Sequence, residues 1–441
     1  MNRPARPSAA GQGQKVKLIG LLDGVEVGAV HQRADGRLIF SYDDEWLRRD
    51  DAYPLSLSMP LAANEHPHSA IHPWLWGLLP DNARTLANYG RVFGVSASNP
   101  VALLAHIGAD CAGAVQFAPP EMVASLLSAT ARRPQVEWLS EEEIAAELRT
   151  VREQGIPGSD ARTAGQFSLA GAQPKIALLE SARGWGRPHG RTPTNRILKP
   201  PSREFAGLAE NEHFCLELAR RLEIGAVRSR VVRFGDEIAI VVDRFDRQEQ
   251  RGRYHRVHQE DTCQALGVLP GNKYENEGGP GIGAVILLVR EYSQRPAEDV
   301  RRFLSATALN WILAAPDAHA KNYALLLGPH AAVRLAPFYD IISYLPYADS
   351  QLHRVNLAMK IGRERLVRRI QRRSWEQLAD AVGMPRLTMI DVVIDTIAAV
   401  SANVESVQEQ AAAEGLDPAI IGPLARQIRA RAAECLKQIG E

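Results

Sequence analysis

Asp317-Ala-His-Ala-Lys-Asn322 and, eighteen residues beyond Asn322, Asp340 at the end of Pro337-Phe-Tyr-Asp340 carry the reading of this chain. Before them, Phe303, Leu304, Leu309, Ile312 and Leu313 recur at helical spacing, and Pro316 stops that helix. After them, residues 323–327 read as a strand, Gly328-Pro329-His330 as a turn and residues 332–336 as a second strand that runs into Asp340. The sequence thus sets a carboxylate and a carboxamide five positions apart on one loop (322 minus 317), then a hairpin, then a second carboxylate.

Taken singly, Asp and Asn behind a helix-stopping Pro are ordinary turn residues. The ordered set points to chemistry. Phosphoryl transfer needs one carboxylate to orient the attacking hydroxyl, and a carboxamide with a second carboxylate to hold the metal that neutralises the phosphates. Protein kinases string these groups in this order. Asp317 is then the candidate catalytic residue, and Asn322 and Asp340 the candidate metal ligands.

The upstream sequence supplies matching parts. Ser168-Leu-Ala170-Gly171-Ala172-Gln173-Pro174-Lys175 precedes a strand at residues 176–180, the form of a phosphate-covering turn whose small residues let backbone N–H groups approach. It lacks the GxGxxG and GxxxxGK[ST] patterns. Residues 194–198 form a short strand that ends at Lys199, where a kinase carries its phosphate-gripping lysine. A helix over 208–222 follows, with Glu210 and Glu212 in its first turn, and Glu212 is the candidate partner of Lys199. Residues 231–234 and 238–242 make a hairpin around Gly235-Asp236 that ends at Asp243-Arg244-Phe245, the candidate adenine-reading hinge.

The remainder frames these parts. The chain of 441 residues is 45% hydrophobic and 23% charged, enough apolar material for more than one core. Its net charge of +1 gives no global field toward nucleic acid or membrane, and the basic run 363–373 reads as a solvated face. Cys111, Cys215, Cys263 and Cys435 are too far apart for a CxxC motif and read as buried, reduced thiols of a cytoplasmic protein. Residues 1–14 read as a disordered tail rather than a signal peptide, and no apolar run approaches the roughly 20 residues of a membrane span. Asp23-Gly24 and Asp35-Gly36 mark hairpins of a small antiparallel sheet, residues 54–60 read as one more short strand, and helices follow near 74–79, 81–89 and 100–106. Ser140 to Glu143 is a capping box ahead of a helix over 144–152, and residues 154–163 are a polar loop. Residues 258–262 are a polar run before a short helix, and 273–283 a glycine-rich loop. Helices are expected at 363–370, 375–382, 389–404 and 418–439. The expected units are the tail 1–14, an N-terminal subdomain 15–120, an ATP-binding part 121–247 and a helical lobe 248–441. The fold class is α+β: two lobes, kinase-like, with antiparallel β subdomains in the N-terminal lobe and a mainly α-helical C-terminal lobe.

As a set, Ser168 to Lys175, Ile197-Leu-Lys199, Asn211-Glu212, Asp243-Arg-Phe-Asp-Arg247, Gln259-Glu-Asp-Thr-Cys-Gln264, Lys273-Tyr-Glu275, Gly278-Gly-Pro-Gly281, Asp317 to Asn322 and Pro337-Phe-Tyr-Asp-Ile-Ile-Ser343 resemble the HipA family of serine/threonine kinase toxins, as do Pro54-Leu-Ser-Leu-Ser58 and Leu78-Leu-Pro-Asp81. The resemblance runs from about residue 15 to the C-terminal part. It implies ATP and Mg²⁺ as cofactors, with Ala170, Gly171, Ala172, Gln173, Lys175 and Lys199 at the phosphates, Asp243, Arg244 and Phe245 as hinge, and His319, Lys321, Asn322, Tyr339 and Asp340 lining the nucleotide site. It implies Ser168 as the site of silencing autophosphorylation. It implies a protein substrate among the aminoacyl-tRNA synthetases, such as glutamyl-tRNA synthetase, and a HipB-like helix-turn-helix antitoxin through which the pair reaches operator DNA. Pro174, where the family often has Glu, removes one backbone donor from the phosphate loop. Two other readings share parts of the pattern: a non-catalytic corepressor that partners the antitoxin, and a phosphoinositide or small-molecule kinase.

Overall fold

The computed structural model describes residues 17–128, 136–157, 167–189, 192–202, 204–251 and 253–440. The expected tail 1–14 lies outside these residues, as does most of the expected loop 154–163.

The first sheet has five antiparallel strands in the order Glu65–His66, Leu38–Tyr42, Val25–Gln32, Lys17–Leu22, Val115–Ala118. The helices His68–Leu78, Ala83–Phe93 and Pro100–Ile107 cover it, and Phe40, Trp74, Leu104 and Phe117 fill the core between. Residues 54–60 are not the strand that their alternation suggests. They form a turn closed by Ser56 and Met59, because the outward residues of the pattern are engaged by buried Glu260 instead of a neighbouring strand.

The second sheet has six antiparallel strands in the order Ser229–Phe234, Glu237–Asp243, Arg196–Lys199, Ile176–Ser181, Gly184–Pro188, Val136–Leu139. Its second strand, Glu237–Asp243, is apolar on both faces for a reason. Ala239 and Val241 share a core with Ile144 and Leu148 of the helix Glu141–Gln154, while Ile240 and Val242 share one with Phe214 and Leu218 of the helix Leu208–Arg221. A strand sandwiched between helices must bury both sets of side chains. The helix Glu141–Gln154 opens with the expected box: Ser140 accepts from Glu143 N–H, and the Glu143 side chain accepts from Ser140 N–H.

The C-terminal half is built on the helices Ile282–Tyr292, Pro296–Ile312, Arg372–Ala381, Arg386–Ala413 and Pro418–Gly440. Trp311 and Trp375 meet edge to face at its centre, both fully buried. Among the described residues, Arg386–Ala413 is long and apolar enough to cross a membrane, which the sequence reading did not anticipate. Here Ile390, Val393, Ile397 and Val400 lie in the protein core. Residues 363–370 are not helical. Asn356–Ile361 and Glu364–Leu366 form a hairpin, and 367–369 a single 3₁₀ turn. The hairpin turns at Gly362, in a left-handed conformation where a β-carbon would meet the Ser374 carbonyl.

A three-stranded antiparallel sheet holds the Asp317 loop: His258–Asp261, Ala324–Gly328, Ala332–Leu335. Its first strand is the polar run before the short helix Thr262–Ala265.

A buried ionic cluster joins the first sheet's domain to the rest. The Asp110 carboxylate lies 2.7 Å from Arg247, 3.3 Å from Arg244 and 3.4 Å from Arg256. Burial alone would raise the Asp110 carboxyl, and the three guanidiniums outweigh it and hold it far below the ordinary range. Its stabilising charge is therefore present at neutral pH and is lost as pH falls through that depressed value. Asp110→Ala should cost about 3–5 kcal/mol at pH 7, since it leaves three buried guanidiniums with one fewer carboxylate, Asp246 remaining within 2.8 Å of Arg244 and 3.1 Å of Arg247. A stability from urea unfolding within about 1 kcal/mol of wild type would contradict this.

Candidate active site

A cavity of about 730 Å³ opens between the second sheet and the helical half, and it is lined by Lys175, Lys199, Glu212, Asp317, Asn322 and Asp340 among others. Each arrives from a different kind of element. Lys199 ends the strand Arg196–Lys199, and Glu212 lies in the first turns of the helix Leu208–Arg221. Asp317 and Asn322 sit on the loop after the helix Pro296–Ile312, which ends before Pro316, with Ala314 in a left-handed turn. Asp340 also has a left-handed backbone, directly after Phe338 is tied to Gly225 and Val227 by backbone hydrogen bonds.

The Lys199 ammonium donates to Glu212 at 2.7 Å and to Asp340 at 2.6 Å. Burial opposes both kinds of charge here. For Asp340, Lys199 and Lys175 outweigh burial and hold the carboxyl down as a carboxylate. For Glu212, burial prevails and pushes the carboxyl up. The Asp317 loop is rigid at its base. Asn322 Nδ2 donates to the Asp317 carbonyl at 2.8 Å, Thr262 Oγ1 to the Ala320 carbonyl at 2.7 Å, and Tyr339 Oη to the Lys321 carbonyl at 3.0 Å. Among the described residues the amide oxygen of Asn322 is left for other partners, while Asp317 Oδ1 accepts from the Tyr274 hydroxyl and the Asp317 side chain is 67% exposed.

Most of the other expected site residues also line the cavity: Ala170, Gly171, Ala172, Gln173, Phe245, His319, Lys321 and Tyr339. Phe245 and Tyr339 stack at 5.8 Å as one wall. Burial pushes His319 down to about 4, so its imidazole is neutral. The Lys321 ammonium is directed to protein groups, at 3.3 Å from Asp81, 3.5 Å from Asp261 and 3.3 Å from the Gly77 carbonyl. Asp243 and Arg244 stand apart from the cavity. Their N–H groups donate to the Arg228 and Asn195 carbonyls, and the Arg244 guanidinium belongs to the Asp110–Asp246 cluster. Of the expected hinge only Phe245 faces the cavity, because the other two N–H groups are already spent on the protein.

The Ser168 segment does not form a ladder with Ile176–Ser181, whose partners are Arg196–Lys199 and Gly184–Pro188. Ser168 pairs instead with Cys111, and Gly171 with Pro80, both on the N-terminal domain. Ser168 N–H donates to the Asp110 carbonyl at 3.0 Å and its Oγ to the Leu78 carbonyl at 2.8 Å, with the residue 1% exposed. Sequence reasoning missed Asp81, Lys273 and Tyr274 as neighbours of the site. Lys273 reaches Asp81 at 2.9 Å across 192 positions, a contact that no local pattern announces.

Two family profiles match this chain: the HipA N-terminal domain over residues 19–118 and the HipA-like C-terminal domain over 167–404. The chain belongs to the HipA family. It is similar to Y4mE of Sinorhizobium fredii, 34% identical over 392 residues, 86% of this chain and 90% of that one. It is 29% identical to the serine/threonine-protein kinase toxin HipA of Shewanella oneidensis, over 79% of each chain. A chain of the solved Shewanella oneidensis complex of HipA, HipB and operator DNA superposes with a TM-score of 0.79 at 24% identity, covering 95% of this chain and 97% of that one, which shows the two-lobed fold. As a HipA-family member the protein is a serine/threonine-protein kinase.

The cavity suits a nucleotide carrying a metal. Its lining holds three buried polar atoms without a hydrogen-bond partner among the described residues, Asp81 Oδ1, Glu212 Oε2 and His319 Nδ1. Lys175 donates to the Ala170 carbonyl, and among the described residues no carboxylate pairs with it. Among the described residues no cluster of three or more His, Cys, Asp or Glu side chains forms, so a metal here would need ligands that the nucleotide brings.

Ser168→Asp should place a carboxylate against the Leu78 and Asp110 carbonyls and expel residues 167–175 from the N-terminal domain, with faster limited proteolysis within that segment. Ser168→Ala, which takes the donor from the buried Leu78 carbonyl without adding charge, should cost about 1–3 kcal/mol and raise the cleavage rate far less than Ser168→Asp. Equal proteolysis of both variants would contradict the docked geometry.

Proposed function

We propose that this HipA-family kinase uses ATP with Mg²⁺ to phosphorylate a serine or threonine of an aminoacyl-tRNA synthetase, glutamyl-tRNA synthetase being the first to test, and so arrests translation as the toxin of a toxin–antitoxin pair. Its antitoxin is a HipB-like helix-turn-helix protein that brings the pair to operator DNA, as HipB and operator DNA accompany HipA in the Shewanella complex. The pair acts in the cytoplasm, and autophosphorylation of Ser168 silences the kinase. The functional units are residues 15–120, 121–247 and 248–441. The observation that carries the reading is Lys199 held between Glu212 and Asp340 on the cavity that Asp317 and Asn322 also line.

The chain's residues divide the work by chemistry. Asp317 is exposed and set to accept a hydrogen bond from the acceptor hydroxyl and orient its oxygen. The amide oxygen of Asn322 and the carboxylate of Asp340 would hold Mg²⁺. Lys199 keeps Asp340 ionised and in place, and Lys175 supplies positive charge beside it. Bound Mg-ATP supplies the phosphoryl group and the neutralising cation. Phe245 and Tyr339 form an apolar wall for a planar base. The buried Ser168 hydroxyl cannot be phosphorylated while its segment is docked, so autophosphorylation requires that segment to leave.

Asp317→Gln and Asp340→Asn should each lower ³²P transfer from ATP by at least about 10²-fold while thermal unfolding stays within a few degrees of wild type. Full transfer by Asp317→Gln would remove the assignment, and an intact antitoxin complex with no response to Mg-ATP would favour a corepressor. Lys175 gives a pH signature. Burial first and Lys199 second push its ammonium down to about 8, so its charge is present below that pH and lost above it. The kcat/KM for ATP should fall as pH rises through 8, and Lys175→Met should flatten that fall. A pH profile unchanged by Lys175→Met would contradict the role.

A further inference from the structure

Three consecutive residues of the loop after the 3₁₀ turn Pro270–Asn272 are fastened to three separate parts of the protein. The Lys273 ammonium is 2.9 Å from Asp81 of the N-terminal domain. The Tyr274 hydroxyl donates to Asp317 Oδ1, and its ring meets His319 edge to face at 5.0 Å. Glu275 accepts from the Lys360 N–H at 2.6 Å. Asp81 is itself anchored, since its N–H donates to the Gly171 carbonyl of the phosphate loop at 3.2 Å and its carboxylate lies 3.3 Å from Lys321.

Asp317 has much to gain from this. Its side chain is 67% exposed, and His319 Nε2, the other polar atom beside it, stands 3.7 Å away, beyond hydrogen-bond reach. A largely exposed carboxylate on a loop would turn freely about its own bonds. One donor fixed on Oδ1 halts that rotation and leaves Oδ2 for the incoming hydroxyl. The phenol is a suitable donor, because its neighbours hold it on both sides and it loses little freedom when it binds.

We propose that Tyr274 is a positioning residue of the transfer step: its hydroxyl sets the Asp317 carboxylate for the acceptor, and the N-terminal domain sets Tyr274 through the Asp81–Lys273 pair. The proposal rests on Asp317 being the catalytic carboxylate. It also gives the N-terminal domain a direct hold on the chemistry, beyond its contacts with the Ser168 segment.

The test uses the full chain as its own phosphoryl acceptor, with initial ³²P incorporation followed over a range of Mg-ATP concentrations for wild type, Tyr274→Phe, Lys273→Met and Asp317→Gln. Tyr274→Phe removes one oxygen and no packing. It should lower the maximal rate roughly tenfold, the value of one hydrogen bond to a charged group, with KM for ATP within twofold and the unfolding temperature unchanged. Lys273→Met should lower the rate by roughly threefold to tenfold in the same pattern, and combining it with Tyr274→Phe should add little. A merely structural role would move KM, stability and rate together, and that result would overturn the proposal. So would a Tyr274→Phe protein with the wild-type rate when Asp317→Gln is inactive. An active Asp317→Gln protein would overturn the catalytic assignment itself, and this inference with it.

Discussion

The site is organised by one ammonium shared between two carboxylates. Lys199 is buried, and burying its charge alone would be prohibitive. Glu212 and Asp340 at 2.7 and 2.6 Å make that burial tolerable. The bridge ties together three parts of the chain that have no sequence contact: a strand of the second sheet, a helix packed beneath it, and the segment that leaves the three-stranded sheet. It also fixes the geometry around the cavity, because Asp340 must adopt a left-handed backbone to reach the ammonium. Asp340, held as a carboxylate by Lys199 and Lys175, is the acidic group of the cluster that a divalent cation brought by a nucleotide would use.

The N-terminal domain is part of this machinery and not an appendage. The Leu78 and Asp110 carbonyls hold Ser168, Asp81 holds Gly171, Lys321 and Lys273, and Glu260 ties Ser56 and Trp74 to the strand beside the Asp317 loop. Phosphate loop and Asp317 loop therefore rest on the same short segment, residues 77–81. The N-terminal domain therefore supports both loops at once, so whatever loosens it loosens the site.

The parts of this arrangement that could be read from the sequence are those set by local chemistry. The helix, loop and hairpin around Asp317 follow from apolar spacing and turn residues that sit within 40 positions of each other, and the Ser140–Glu143 box is complete in four residues. The fastening of Lys199 by Glu212 was visible only as a possibility, since a helix carboxylate 13 positions away has many other places to point. Long-range pairings left no trace. His258–Asp261 is a polar run with no apolar alternation to mark it, yet it is a strand to which Ala324–Gly328 offers a ladder and in which Ser56 and Trp74 satisfy Glu260. Leu366 and Ile370 have the spacing of a helix face, yet Leu366 ends the hairpin that turns at Gly362 and Ile370 follows the 3₁₀ turn after it. The N–H groups of Asp243 and Arg244 go to the Arg228 and Asn195 carbonyls, partners that only the folded sheet reveals.

The central claim is that Lys199 faces the phosphates of a bound nucleotide, and an acyl-phosphate derivative of ATP, which transfers its acyl group to amines at the phosphates, tests it directly. Mass spectrometry of the full-length protein should find acylation concentrated on Lys199 and Lys175 and suppressed by excess Mg-ATP. Acylation spread over surface lysines, or undiminished by Mg-ATP, would contradict the claim.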